Sequence, residues 1–480
     1  MASTHLIRRE LLDVEFVGTE ADALGWHQRL PDLSRDWLNP ALEKVLERMV
    51  PANEHWVVDT LFVDAGKVVA GDLERGLVEA VSNALERCLR ERAPRAAPRA
   101  DDSSGSAVGD TAPADIASGQ IVSRTVADSV IAAFVHFLLT GALPWWFSLP
   151  PGKALEDCVR GLWHVGAESA VPAEQVSRAM LPAIRQSWPR TRLVRQFSAD
   201  ILAALLGGLS VQSERVVRAA LAKWNEGDSG AIREFAERLW ERAFALTIRR
   251  DAVTEDELIT AAYAAWISES PKPDESITMR IEKLWPQVPA ASRRAPERAR
   301  ATRRLGRGTS APLELEAGVF IGCAGVVLLH PFLPQLFEVL GIAREGELLE
   351  PDRALTLIHF LATGQREAPE HDLQFAKLLC NVPPDMPVQS RFELTAAAEE
   401  EAGAVLAAVI RHWDALGETS VEGLRGSFLV RPGKLSRRGE SDVLQVESRA
   451  YDVLLDRLPW GIGLVQLPWM KNPLWVEWRF

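Results

Sequence analysis

The sequence predicts a mainly helical protein with α+β character at both ends, and three observations carry that reading. Through the middle, apolar residues recur at helical spacing, as in the single face formed by Ile232, Phe235, Leu239 and Leu246. Near the N-terminus Leu12, Val14 and Phe16 alternate with Asp13 and Glu15, the period of a half-buried strand. Toward the C-terminus the pattern turns strand-like again, with Gly, Pro and Asn punctuating short β-branched and aromatic runs.

Residues 1–90 read as a strand-helix-strand-helix unit. After the first strand, Asn39 and Pro40 give an N-cap and first-turn signal. Leu42, Val45, Leu46 and Met49 then line one helical face, stopped by Pro51. A second strand follows over about Trp56–Asp64, ended by Gly66. Asp72 caps a helix whose apolar face is Leu73, Leu77, Val81, Ala84, Leu85 and Cys88.

Residues 91–120, rich in Ala, Pro, Ser, Gly and Asp, bury too little apolar area to offset ordering entropy and read as a flexible linker. Residues 121–286 read as a helical domain with short breaks, and 287–312 as a second linker. That linker carries Arg293, Arg294, Arg298, Arg300, Arg303, Arg304 and Arg307 against one acid, Glu297. It is a solvated connector or a docking strip for an acidic protein surface. No aromatic residues interleave the arginines to stack bases, so nucleic acid is disfavoured.

Residues 313–480 form a helical domain finishing in short strands. Leu406, Val409, Ile410 and Trp413 mark a helix whose first turn holds Glu399, Glu400 and Glu401, the end that favours acids. After Gly426 come a strand through Phe428-Leu429-Val430, a turn at Arg431-Pro432-Gly433-Lys434, and a strand over Val443–Val446. The last stretch reads as two strands around a turn at Lys471-Asn472-Pro473. One internal echo is present: His136–Gly141 (HFLLTG) and His359–Gly364 (HFLATG). Each follows an apolar helical run and places Gly where a helix ends, through either a shared ending or a duplicated unit.

Composition excludes several function classes. The 480 residues give room for two to four domains, and a net charge of −12 opposes general nucleic-acid binding. Cys88, Cys158, Cys323 and Cys380 are widely separated, without a CxxC pair or disulfide framework, which fits a reducing cytosol. Arg8, Arg9 and Glu10 interrupt the N-terminus before any secretory h-region forms. Residues 129–152 and 317–337 are uncharged but broken by prolines, and read as core rather than bilayer segments. Sixteen Trp against two Tyr point to aromatic cores and to interface anchors.

The search for chemistry finds no cofactor, metal or catalytic constellation. No HExxH, EF-hand loop, phosphate-cradling GxxxxGK or nucleophile elbow occurs. Cys380 with His359 or His371 lacks an orienting third group and sits in an apolar stretch, as an inert core cysteine does. His330 before Pro331 reads as hydrogen-bonded at a chain bend, and Gly461-Ile462-Gly463 as a turn into a strand. The expectation is a non-enzymatic, protein-binding chain with no small-molecule substrate.

A family signature lies in the runs Leu329-His330-Pro331-Phe332-Leu333-Pro334, Thr419–Arg425, Arg431-Pro432-Gly433-Lys434-Leu435 and Tyr451–Gly461. Leu467–Trp478, the N-terminal His5–Arg9 strand and the turn Leu143-Pro144-Trp145-Trp146 complete it. With these the chain resembles the contractile injection system tape measure proteins of phage-tail-like particles. The resemblance implies a structural role in setting or nucleating an inner tube on a baseplate, with tube, baseplate and cap proteins as partners and no catalytic residues. Cysteine usage gives the cytoplasm as the expected location, with incorporation into the injection particle as the further expectation. Trp469, Trp475 and Trp478, with Arg293, Arg294, Arg303 and Arg304, are the expected partner-binding residues. A single helix of 480 residues would reach ~720 Å. Prolines, glycines and linkers instead divide this chain into folded units, which also suits an initiator, a cap, a chaperone-like factor or a cytosolic scaffold.

Overall fold

The computed structural model describes residues 5–7, 10–15, 17, 19–51, 53–68, 73–93, 120–163, 171–224, 230–250, 252–269, 274–288, 318–389 and 394–478. It divides into two compact units, Met1–Val130 and Ile131–Phe480. Most of both expected linkers, with Arg293, Arg294, Arg303 and Arg304, lies outside the described residues, as does Asp72. The mainly helical class with α+β ends is what the chain adopts. Among the described residues no helix is long and apolar enough to cross a membrane.

In the first unit, the expected strand over Leu12–Phe16 does not form among its described residues; Leu11 is 78% and Val14 49% exposed. Alternation makes a strand only where a ladder partner exists, and no strand pairs with the described residues of this stretch. Strand β1 (Glu54–Val58) pairs antiparallel with β2 (Ile121–Thr125), Val57 opposite Val122. Residues 121–125, expected as helix, are therefore a strand, consistent with their β-branched composition. Helix α1 (Glu20–Leu33), not read from the sequence, runs through a π-turn at Ser34–Leu38 into α2 (Asn39–Met49). Asn39 is thus helical rather than a cap. Its N–H reaches back to the Ser34 carbonyl, a five-residue span that absorbs the donor missing at Pro40. Val45 of α2 packs with Leu85 and Leu89 of α3 (Leu73–Arg92) and with Ile121, while Leu42, Leu46 and Met49 border them.

Helix α4 (Val126–Thr140) begins in the first unit, and its part in the second buries Phe134, Phe137 and Leu138. It is followed by α5 (Leu155–Gly161), α6 (Ala173–Ile184), α7 (Ser187–Gln196), α8 (Ala199–Leu209) and α9 (Val211–Trp224). Then come α10 (Gly230–Thr247), α11 (Glu255–Glu269) and α12 (Glu275–Leu284). Tryptophans form the centre of the last four. Trp224 lies 4.6 Å from Phe235 and stacks with Trp285 at 6.5 Å, and Phe235 meets Trp266 edge-on at 6.2 Å. Each indole N–H is satisfied: Trp224 by the Ile232 carbonyl, Trp266 by Thr278 and Trp285 by Glu255.

The remainder begins with β3 (Val319–Ile321), α13 (Leu333–Val339) and a small hairpin, β4 (Ala343–Arg344) with β5 (Glu347–Leu348). Helices α14 (Pro351–Thr363), α15 (Gln374–Leu379), α16 (Ala396–His412) and the short α17 (Val421–Leu424) follow. Thr395 caps α16, whose Leu406 and Val409 are buried with Trp413. Residues Arg425–Leu429 continue α17 as a π-turn, so the expected Phe428–Val430 strand does not form; Phe428 and Leu429 are buried from a helical turn instead. The hairpin β6 (Gly433–Arg438) and β7 (Ser441–Val446) then joins β8 (Leu464–Val465) and β9 (Leu474–Glu477) in a sheet ordered β3-β6-β7-β9-β8.

The two stretches that the sequence separates as 121–286 and 313–480 share one polar seam. Glu370 is completely buried and accepts from Arg192 of α7 at 3.0 Å and from Lys377 of α15 at 2.6 Å, both also completely buried. Arg192 donates further to the Asp385 carbonyl at 2.5 Å and to that of Leu138. Lys377 donates to the carbonyls of Pro384 and Met386 at 2.8 and 2.9 Å. Arg195 and Gln196 take the carbonyls of Pro387 and Val388. Burial pulls the Lys377 ammonium down, and Glu370 opposes that pull.

Glu370→Gln leaves two cations buried without their anion, and should lower the unfolding free energy by ~3–5 kcal/mol in chemical denaturation. An unchanged midpoint would contradict the seam's role. Burial also pushes the His136 pKa from 6.5 down to about 4. The unfolded chain takes up that proton first, so stability is lost as pH falls from about 6.5 toward about 4. Replacing His136 with Gln should flatten part of this acid-side decline in melting temperature; an identical slope would show that the group does not contribute.

Candidate partner-binding surface

The C-terminal sheet is held by a buried ion pair. Arg431, at the entry to β6, sends Nη1 to both carboxylate oxygens of Asp452 at 3.0 Å, and neither side chain is exposed. The same nitrogen donates to the Glu447 carbonyl at 3.0 Å, and Nη2 to that of Ser427 at 2.5 Å. The guanidinium sits 5.1 Å from the Tyr451 ring, 5.4 Å from Trp478 and 5.9 Å from Phe428. Asp452 accepts in addition from Trp478 Nε1 at 2.9 Å and the Arg449 N–H at 2.8 Å.

The three expected tryptophans divide according to what their indoles meet. Trp478, 6% exposed, closes the Asp452 site. Trp469 is half-buried, stacks on Phe337 at 5.3 Å and donates to the Leu379 carbonyl at 2.8 Å. Trp475 is 49% exposed, and Leu464, its register partner on β8, is 51% exposed. Residues 475 and 478 have opposite parity along an extended chain, which is why one enters the core and the other does not. The apolar pair Leu464–Trp475 thus sits on the terminal ladder of the sheet, beside its β8 edge.

The thiols and imidazoles nearest the expected Cys380 pairing are largely withdrawn from solvent. Burial pushes the Cys380 thiol up, and the Cys323 thiol up to about 12, so neither ionises at neutral pH. His359 and His371 are shifted down, chiefly by burial. His330 Nδ1 lies 3.0 Å from the Val327 carbonyl at the bend before Pro331. Among the described residues no group of three or more His, Cys, Asp or Glu is placed to hold a metal ion.

Several of the C-terminal signature runs meet in this region. Trp460 packs edge-on against Phe332 at 5.3 Å and donates to the Leu328 carbonyl at 3.0 Å. Arg425 holds carbonyls of α14, Ser420 caps α17, and Tyr451 donates to the Ser427 carbonyl at 3.2 Å. The family described as contractile injection system tape measure protein matches the chain over residues 4–478, nearly its whole length. The chain belongs to the contractile injection system tape measure protein family. Comparison with curated proteins and with solved structures gives no significant match. In this tape measure protein many of the signature residues are internal struts, and Trp475 is the exposed tryptophan among those described. The Glu370 seam escaped sequence reasoning because its partners lie far apart in the chain; only the HFLLTG echo touches it.

Trp478→Ala should cost ~3–5 kcal/mol of unfolding free energy, as for a buried aromatic that also satisfies an acid. Trp475→Ala should change stability by less than about 0.5 kcal/mol. Thermal and urea melts separate the two; equal costs would show that the burial pattern is wrong.

Proposed function

We propose that this chain is a non-enzymatic assembly protein of a contractile injection particle, nucleating or capping the inner tube on the baseplate through its folded units. Its partners are tube, baseplate and cap proteins, met in the cytoplasm before or during incorporation. Family membership supports the particle setting. The observation that carries the mechanism is the absence of a long rod: the longest unbroken helical run among the described residues, Glu20–Met49 through its π-turn, spans only about 45 Å. A protein built from short helices around cores measures length poorly, but presents fixed surfaces well. The Leu464–Trp475 pair is the apolar patch offered to a partner, and Trp475→Ala is expected to weaken assembly while sparing the fold.

Two measurements test this reading. A strain lacking the protein should show few or no assembled particles by electron microscopy while tube and sheath subunits remain soluble. Full-length contractile particles in normal number would contradict it. The second compares particle lengths for chains with residues 94–119 deleted, native and doubled. Fully extended, that segment covers about 90 Å. If folded units nucleate or cap the tube, the length distribution stays fixed, because a tether changes effective concentration only modestly. A proportional shift across the three would instead establish a ruler.

A further inference from the structure

The C-terminal sheet ends on an unguarded edge. The Val476 N–H donates to the Gly463 carbonyl at 3.0 Å, and in register Leu464 then lies opposite Trp475 and Val465 opposite Leu474. In an antiparallel ladder this alternation turns the Leu464 N–H and C=O away from β9. Because β8 is the last strand of the sheet, they face a side where no further strand lies among the described residues. Sheet edges are ordinarily blunted by lysine, proline or an inward charge, and Gly461–Gln466 contains none of these.

The side chains beside that edge are apolar on both faces. Val443 of β7, Trp475 of β9 and Leu464 of β8 stand in one register row. Val443 is buried whereas Trp475 and Leu464 are exposed, so the row opens toward the edge. On the opposite face Val465 is buried in the core, and Leu467 follows it there. A strand laid along β8 therefore meets an apolar neighbour whichever way each of its side chains points.

The N-terminal segment has the complementary feature, a strand pattern without a ladder. Leu6, Ile7, Leu11, Val14 and Val17 are all exposed, and the described residues around them pair with no strand. Leu12, Val14 and Phe16 alternate with Asp13 and Glu15. On β8, the first set continues the buried Val465 side. The other parity brings Leu11 or Val17 beside Leu464 and leaves Asp13 and Glu15 toward solvent. Lys471, in the bend before β9, is exposed and makes no ion pair among the described residues, which gives those acids a counter-charge. Within one chain the segment joins no described ladder, so the β8 edge it fills is that of another molecule.

We propose that residues 11–17 of one copy of this chain add as a strand to the β8 edge of a second copy. Main-chain hydrogen bonds to Leu464 hold the strand, and the alternating side chains set its register. Donor and acceptor are different parts of the chain, so the contact is heterologous and joins copies head to tail. The proposal rests on the reading of Leu464 and Trp475 as a partner surface and names the occupant of that surface.

The test mixes two preparations of the full chain, one carrying a benzophenone-bearing residue at the exposed position 466 and one isotope-labelled throughout. After irradiation, mass spectrometry should find residue 466 joined to a labelled peptide that contains residues 11–17. Val14→Asp in the labelled chain, an exposed change that carries charge to the buried side of the added strand, should cut this adduct about tenfold at an unchanged melting temperature. Adducts confined to unlabelled chains, adducts at another segment, or none at all would overturn the second copy as occupant. Particle counts separate this from the assembly reading. If Trp475→Ala lowers particle number and Val14→Asp does not, strand donation fails and the partner surface stands; if neither lowers it, both fail.

Discussion

The C-terminal sheet depends on Arg431 and Asp452 being buried together. Neither charge reaches water, so each must be compensated by the other and by fixed dipoles. The arginine meets this demand by gathering the Glu447 and Ser427 carbonyls, and the aspartate by gathering an indole N–H and a backbone N–H. Lysine would not serve equally well, since a point charge lacks the planar fork that spans several acceptors and lies among aromatic faces. The pair thereby ties the entry of β6, the segment around Tyr451 and the end of β9 into one arrangement. Trp478 can be fixed inward, and Trp475 outward, only once that arrangement exists.

A second buried carboxylate plays the corresponding part in the helical half. Glu370 brings Arg192 and Lys377 together, and those cations collect the carbonyls of a proline-interrupted loop at 384–386. Prolines there cannot donate to a ladder, and the carbonyls around them need donors from elsewhere. Long cationic side chains supply them. Both centres show the same physical solution: buried charge organises irregular backbone. A structural assembly role asks for nothing more.

Periodicity made much of the fold legible. The faces of α2 and α16, strand β7 and the final strand pair follow local patterns that the sequence displays, whereas the expected turn at Arg431-Pro432-Gly433-Lys434 runs into strand β6 and the hairpin turns at 439–440 instead. Misreadings arose where partners decide structure. The described residues of Leu12–Phe16 alternate like a strand yet pair in no ladder, whereas Ile121–Thr125 is a strand paired with β1. Phe428–Val430 looks extended by composition, but the demand to bury Phe428 and Leu429 from a helical turn prevails. Of the candidate site, the parity of Trp475 and Trp478 could be read in advance. The Arg431–Asp452 and Arg192–Glu370 contacts could not, since side chains 21 and 178 residues apart leave no periodic trace.

The claim that one buried ion pair organises the C-terminal sheet is tested most directly by a double-mutant cycle in urea, with Arg431→Met, Asp452→Leu and the double substitution. If the pair is coupled as described, each single change costs ~3–5 kcal/mol, because it strands a buried charge. The double change should cost less than the sum by about 2 kcal/mol or more. Strictly additive losses would mean that the two charges are held independently, and would contradict the account.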